Sequence, residues 1–105
     1  MIIQQGDVII ESIAVIPNDT HEGKLKNGSI VLAEGETTGH AHRITEIEGL
    51  IFKEGDDGMF YLQNFHDLKV THEEHKTITI PPGTWKVRKV REYDHFAEEA
   101  RAVAD

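Results

Sequence analysis

Apolar and polar residues alternate along most of this chain, and many of the apolar residues are β-branched. A period of two is typical of β-strands that turn one face towards a core. The pattern predicts strands over residues 6–16, 29–36, 40–49, 50–54, 59–65, 67–72, 76–80 and 84–93. Segments this short, joined by tight turns, indicate an all-β fold: a small antiparallel barrel or sandwich of about seven or eight strands.

Turn-forming residues separate the predicted strands. Asn27-Gly28 is a favoured two-residue hairpin turn, and it closes a polar stretch over residues 18–28 that we interpret as a loop. Residues 55–58 (GDDG) and 81–83 (PPG) are further turn signals. The connections are too short to hold crossover helices, which argues against a parallel α/β sheet.

The pattern changes after Asp94. Phe96, Ala100 and Val103 recur at helical spacing, and Asp94 is a suitable residue to cap a helix N-terminus. We therefore predict a β domain over residues 1–94 and a short C-terminal helical tail over residues 95–105. A helix this short is stable only when its apolar stripe packs on its own domain or on a second subunit.

The sequence GHAH places two histidines two residues apart on a predicted strand. Side chains at that spacing project from the same face, so His40 and His42 point in one direction. Glu46 shares this face if the strand stays regular. Two imidazoles on one strand face are a common way to hold a metal ion, but two exposed histidines on an edge strand give the same pattern.

The sequence THEEH is predicted to form the tip of a hairpin. Antiparallel pairing of Leu68 with Ile80 and of Val70 with Ile78 turns these apolar side chains to the core and leaves both histidines of the motif at the tip. Histidine and glutamate are not favoured in turns, where Gly, Asn and Asp predominate. The composition of the tip therefore indicates either a binding role or a charged, solvated end that opposes aggregation.

Together the two motifs supply four imidazoles for one site, from His40, His42, His72 and His75. Imidazole is a good ligand for first-row divalent metals, and the chain has no cysteine to favour Cu(I) or iron–sulfur clusters. We predict a site for Zn, Ni, Fe or Mn, with Glu46, Glu73 or Glu74 as the candidate acid or base. The same residues are compatible with a pH-sensitive histidine cluster or a single histidine general base.

Charge and composition exclude several classes of protein. The formal net charge of −8 argues against binding to nucleic acids, which requires clustered Lys and Arg. No apolar run approaches the roughly 20 residues of a membrane span, and the N-terminal sequence MIIQQGDVII lacks the basic start of a secretory signal. The absence of cysteine excludes disulfides and thiolate zinc fingers. We therefore expect a soluble, cytoplasmic protein.

The stretch GETTGHAHRITE, followed by ITIPPGTWKV, resembles the cupin superfamily, whose first motif carries His-x-His and a downstream glutamate. By that resemblance, His40, His42 and Glu46 are metal ligands in a β-barrel enzyme. The second cupin motif has a histidine after its Pro-x-Gly turn, whereas this chain has Trp85 near that place. The resemblance then implies that a histidine of THEEH is the substitute.

The order of motifs over residues 5–93 is also similar to that of small, uncharacterised bacterial and phage-type β proteins. These carry QGDV, GHAH, THEEH, PPG and REY, found here at residues 5–8, 39–42, 71–75, 81–83 and 91–93. The resemblance implies a shared site around the histidines and assigns no activity to it.

Three functions remain open from the sequence. The first is a cupin-like, metal-dependent enzyme that acts on an unassigned small molecule at a histidine-rich site. The second is a metal-binding module without catalysis. The third is an interaction or oligomerisation module without a metal, which forms homo-oligomers through strand edges and the C-terminal tail. A pocket beside the histidines favours the first, and an exposed apolar patch around Trp85 or Phe96 favours the third.

Overall fold

Ten antiparallel strands form the fold in this computed structural model, which describes residues 1–34 and 39–90. They are β1 (Ile2–Gln5), β2 (Val8–Ser12), β3 (Thr20–Glu22), β4 (Ile30–Glu34), β5 (Ala41–Ile44), β6 (Ile51–Gly55), β7 (Phe60–Asn64), β8 (Leu68–Val70), β9 (Ile78–Ile80) and β10 (Gly83–Lys89). No helix in the described ranges is long and apolar enough to cross a membrane.

The strands form two layers. The first layer is a six-stranded sheet in the order β1-β2-β10-β7-β6-β3. The second layer contains the hairpins β4–β5 and β8–β9. These hairpins are joined where Arg43 and Thr71 exchange both backbone hydrogen bonds at 2.9 Å. The arrangement is sandwich-like, and the join between β5 and β8 brings the GHAH and THEEH motifs side by side.

Apolar side chains from both layers meet in one core. The six-stranded sheet contributes Val8, Ile10, Phe52, Leu62, Trp85 and Val87, and the second layer contributes Ile30, Leu32, Ile44, Leu68, Val70 and Ile80. Alternate residues of a strand point to the same face, which is why the period-two pattern of the sequence places these side chains together.

Hydrogen bonds made by Trp85 and Asn64 connect this core to two loops. Trp85 Nε1 donates to Asn64 Oδ1 at 2.9 Å, and Asn64 Nδ2 donates to the carbonyl oxygens of His66 at 2.8 Å and Pro81 at 3.0 Å. Trp85 and Asn64 are each only 3% exposed. Neither group therefore has bulk water as an alternative partner.

Replacing Trp85 by phenylalanine is expected to lower the free energy of unfolding by about 1–2 kcal/mol, because Asn64 Oδ1 loses its donor in a buried place. Urea denaturation measures this loss. Phe65→Leu is the control, since Phe65 is 59% exposed and should tolerate the change. Equal stability of Trp85→Phe and the wild type would show that the indole hydrogen bond contributes nothing.

The predicted all-β class is confirmed, but the predicted strand number is wrong. About seven or eight strands were expected, whereas the described residues contain ten. Strand β1 is missed because Gly6-Asp7 is a two-residue turn between β1 and β2, with Gly6 at φ +57°, as type II′ turns require at that position. Strand β3 is missed because it is a polar edge strand, formed by backbone pairing with β6 and not by apolar alternation.

The predicted C-terminal helix is not supported, and this part of the predicted fold class is withdrawn. Residues 95–105 lie outside the described residues, and the residues that are described contain no helix. The helical prediction depended on a stripe of three apolar residues in a segment too short to be a stable helix by itself. The predicted domain boundary at residue 94 also lies outside the described ranges.

Candidate metal centre

Three segments of the chain meet around the histidines. They are the β1–β2 turn with its preceding residue (5–7), strand β5 with His40 just before it, and the connection from β8 to β9 (71–77). The β8–β9 register is the predicted one, with Leu68 opposite Ile80 and Val70 opposite Ile78. His72 and His75 therefore lie in the predicted hairpin tip, and this tip contacts β5.

The structure brings all four imidazoles together, with His72 in the centre. The His72 ring centroid lies 5.8 Å from that of His40, 4.4 Å from that of His42 and 4.6 Å from that of His75. The rings of His42 and His75 are stacked with centroids 5.7 Å apart. The two sequence motifs thus form one cluster, which we call the histidine cluster.

The members of the histidine cluster differ in burial and in pKa. His42 is 3% exposed, whereas the His40 side chain is 23% exposed. Burial first, and the neighbouring His72 ring second, lower the pKa of His42 from 6.5 to about 4. Burial, followed by the nearby His75, also lowers the pKa of His72. Both rings are therefore neutral at pH 7, which is the form of imidazole that binds metal ions.

Gln5 fixes the tautomer of His42. The amide nitrogen of Gln5 donates to the carbonyl oxygens of Val70 at 2.9 Å and Lys76 at 2.8 Å. Its Oε1 then faces His42 Nδ1 at 2.7 Å and can only accept. His42 Nδ1 therefore carries the ring proton, and Nε2 keeps a free lone pair. A partner that holds the non-ligating nitrogen in this way is the usual companion of a metal-bound histidine.

The free nitrogen of His42 faces a carboxylate on the β1–β2 turn. Its Nε2 lies 3.4 Å from Asp7 Oδ1. With no proton on Nε2, a lone pair faces a negative charge, and a bound cation relieves the resulting repulsion. The turn also leaves room for the rings, since a Cβ at Gly6 would lie 2.6 Å from His75 Nε2 and 3.1 Å from His42 Cε1.

Glu73 is occupied by other partners. Its Oε1 accepts the backbone N–H of Ala41 at 2.8 Å, and its Oε2 pairs with the guanidinium of Arg43. Arg43 first, and the Ala41 amide second, lower the pKa of Glu73 to about 2. Glu73 is therefore ionised at neutral pH, and its two contacts hold the hairpin tip against β5.

His72 also has a structural contact. Its Nδ1 accepts the backbone N–H groups of Glu74 at 3.0 Å and His75 at 3.3 Å. Because both donors are backbone amides, neutral His72 carries its ring proton on Nε2. The ring thus shapes the tip of the β8–β9 hairpin.

The remaining predicted carboxylates are placed differently. Strand β5 ends at Ile44, so Glu46 leaves the strand face of His42 and lines a separate cavity of about 490 Å³. Glu74 stays beside the histidine cluster, with its Oε1 3.8 Å from His40 Nδ1. This cavity and two others, of about 330 and 160 Å³, have none of the four histidines in their walls.

Sequence reasoning missed Gln5 and Asp7 as members of the site. The signal that could have identified them is the QGDV motif at residues 5–8. Gln5 follows Gln4 at the end of β1 and is 3% exposed, and a buried polar side chain needs specific partners. A glutamine in that position, next to a Gly-Asp turn, therefore indicates polar contacts to another part of the chain.

Comparisons with known proteins give a family but no activity. A search of curated proteins and a search of solved structures each find no match. A family model matches residues 4–90, a range that contains every member of the histidine cluster as well as Gln5 and Asp7. That model is described as a domain of unknown function. The chain therefore belongs to the family of domains of unknown function called DUF8820.

Proposed function

We propose that this domain binds a divalent metal ion at the histidine cluster. The observation that carries the proposal is the hydrogen bond from His42 Nδ1 to Gln5 Oε1, at 2.7 Å. It leaves a buried imidazole with an unprotonated nitrogen, close to further imidazoles and to the Asp7 carboxylate. Nitrogen and oxygen donors without a thiolate suit Zn, Ni, Fe or Mn.

Metal binding is the property that a non-catalytic metal-binding domain and a cupin-like enzyme share. An enzyme needs an open coordination position and a space for substrate next to the metal. The cavity of about 490 Å³ beside Glu46 is lined by none of the four histidines, so it is not itself the substrate space of such an enzyme. The cupin-like GHAH motif supports metal ligation in either case, because two histidines of one strand can share an ion.

Tag-free protein is expected to bind Zn²⁺ or Ni²⁺ saturably at pH 7.5 and more weakly as the pH falls towards 4. Protons compete with the metal for imidazole, and at His42 this competition begins only near its lowered pKa of about 4. A ligand that binds only the folded state also raises the melting temperature by mass action. Isothermal titration calorimetry and thermal denaturation measure the two effects.

His42→Ala should abolish the binding and the gain in melting temperature. His21→Ala is the matched control, because His21 lies on β3 with a side chain that is 58% exposed. Circular dichroism checks that both variants fold. If wild-type protein shows no saturable heat with Zn²⁺, Ni²⁺, Mn²⁺ or Fe²⁺, the proposal fails, and an interaction module without a metal is the better description.

A further inference from the structure

Two sets of three residues compete to be the ligands within this site. The outer set is His40, His72 and Glu73, whose potential ligand atoms all lie within 4.8 Å of one another. The inner set is Asp7, His42 and His75, which meet at the β1–β2 turn. The potential ligand atoms of the inner set do not all lie within that distance, so spacing favours the outer set. A ligand atom must also have a free lone pair, however, and this second requirement favours the inner set.

Two members of the outer set, Glu73 and His72, already make hydrogen bonds within the chain. The two Glu73 oxygens are held by the Ala41 amide and by Arg43. His72 Nδ1 accepts two backbone amides, and its Nε2 therefore bears the ring proton. Each Glu73 oxygen keeps a second lone pair, but an ion bound by His72 would break the hydrogen bonds that shape the hairpin tip, because the ring would have to release either these bonds or its Nε2 proton.

In the inner set, by contrast, one imidazole nitrogen has a free lone pair. His42 Nε2 is unprotonated because Gln5 holds the proton on Nδ1, and the atom facing it at 3.4 Å is an oxygen of Asp7. That distance is long for a charge-assisted hydrogen bond, which is usually about 2.7–2.9 Å. His75 Nε2 reaches the same turn, 2.6 Å from where a Cβ of Gly6 would lie. The inner set therefore places an unprotonated imidazole nitrogen, a second imidazole and a carboxylate oxygen around Gly6.

We infer that the inner set binds the ion, so that Asp7 is a metal ligand and His72 is a positioning residue. The inference rests on the proposed metal-binding function and deepens it. Two histidines and one carboxylate are a donor set typical of Zn²⁺ and of non-haem Fe²⁺, with coordination positions left for water or a small ligand.

Substitution of His72 distinguishes a positioning role from metal ligation. Its Nδ1 accepts the amides two and three residues further along the chain. The side-chain oxygen of asparagine makes the same local contacts in Asx turns. His72→Asn should therefore keep the shape of the tip and the affinity for metal, although it removes an imidazole from the cluster.

The experiment is a calorimetric titration of tag-free, full-length protein with Zn²⁺ alone at pH 7.5. Asp7→Asn and His75→Ala should each lower the affinity by at least tenfold, and His72→Asn should bind nearly as well as the wild type. Asp67→Asn is the matched control for Asp7→Asn, since it neutralises another exposed carboxylate. Asp7 is 59% exposed, so its substitution should leave the fold intact, which urea denaturation verifies.

The alternatives give different results. If His72→Asn and Glu73→Gln lose affinity while Asp7→Asn retains it, the outer set holds the ion, and the inference is overturned while the proposed function stands. Equal losses in all four variants would also overturn it, because the ligands would then span both sets. If wild-type protein does not bind Zn²⁺, both the inference and the proposed function fail.

Discussion

Replacing Gln5 by alanine is expected to lower the free energy of unfolding by about 3 kcal/mol, because three groups lose their partner at once. These groups are the carbonyl oxygens of Val70 and Lys76 and the Nδ1 of His42. Each buried polar group left unsatisfied costs roughly 1–3 kcal/mol. The carbonyl of Lys76 is only partly buried, so water can replace part of its loss and the total stays near the lower end.

Urea denaturation of Gln5→Ala measures this change in stability, and Gln63→Ala is the matched control. Gln63 is half-buried on β7, so its loss removes a similar side chain from a different place. The same variant should bind Zn²⁺ at least tenfold more weakly, because His42 is no longer held in the ligating tautomer. A loss of stability below about 1 kcal/mol would mean that Gln5 does not organise the site.

Lowering the pH from 7 to 5 is expected to destabilise the metal-free protein by about 2 kcal/mol. The pKa of His42 is lowered from 6.5 to about 4 by its burial and by the His72 ring. Between these values the unfolded chain takes up a proton at His42 and the folded chain does not. The stabilisation is therefore fully present above pH 6.5 and is lost as the pH falls towards 4. The lowered pKa of His72 acts in the same direction.

Equilibrium urea denaturation in the presence of a chelator, at steps between pH 7 and pH 5, measures this dependence. Glu73 contributes little in that range, since its pKa is lowered from 4.5 to about 2 and both values lie below pH 5. His42→Gln keeps an N–H donor for Gln5 but cannot titrate, so its stability should fall less over the same range. His21→Ala should follow the wild type. A pH dependence in His42→Gln equal to that of the wild type would assign the effect to other groups.

Local patterns predicted those parts of the fold that local interactions determine. The Asn27-Gly28 turn forms as expected, with φ of 52° and 78° at its two residues. The β8–β9 register follows from the apolar pattern because a shift by one residue would turn the apolar side chains of one strand away from the core. Strand β3 has no such pattern, since only its backbone pairing with β6 makes it a strand.

The candidate site was predictable in part for the same reason. The two-residue spacing of His40 and His42 is a local feature, and so is the hairpin tip. Together these features predict the positions of the four imidazoles of the histidine cluster. The contribution of Gln5 is not local, because its amide reaches Val70 at a separation of 65 residues. Glu46 was grouped with the histidines on the assumption of a regular strand, but β5 ends at Ile44. The arrangement of the candidate ligands therefore depends on tertiary contacts, and the spacing of residues along the sequence does not predict these contacts.

The wide separation in sequence between Gln5 and its hydrogen-bond partners also affects the kinetics of folding. The hairpins β1–β2, β4–β5 and β8–β9 close short loops, whereas the hydrogen bonds from Gln5 to Val70 and Lys76 join residues 65 and 71 positions apart. Closing so long a loop costs more chain entropy and follows the formation of local structure. An ion bound between the β1–β2 turn and residues 71–77 would interact only with the finished fold. Under the proposed function, such a contact would slow unfolding and leave the folding rate almost unchanged, because it would form after the rate-limiting step of folding.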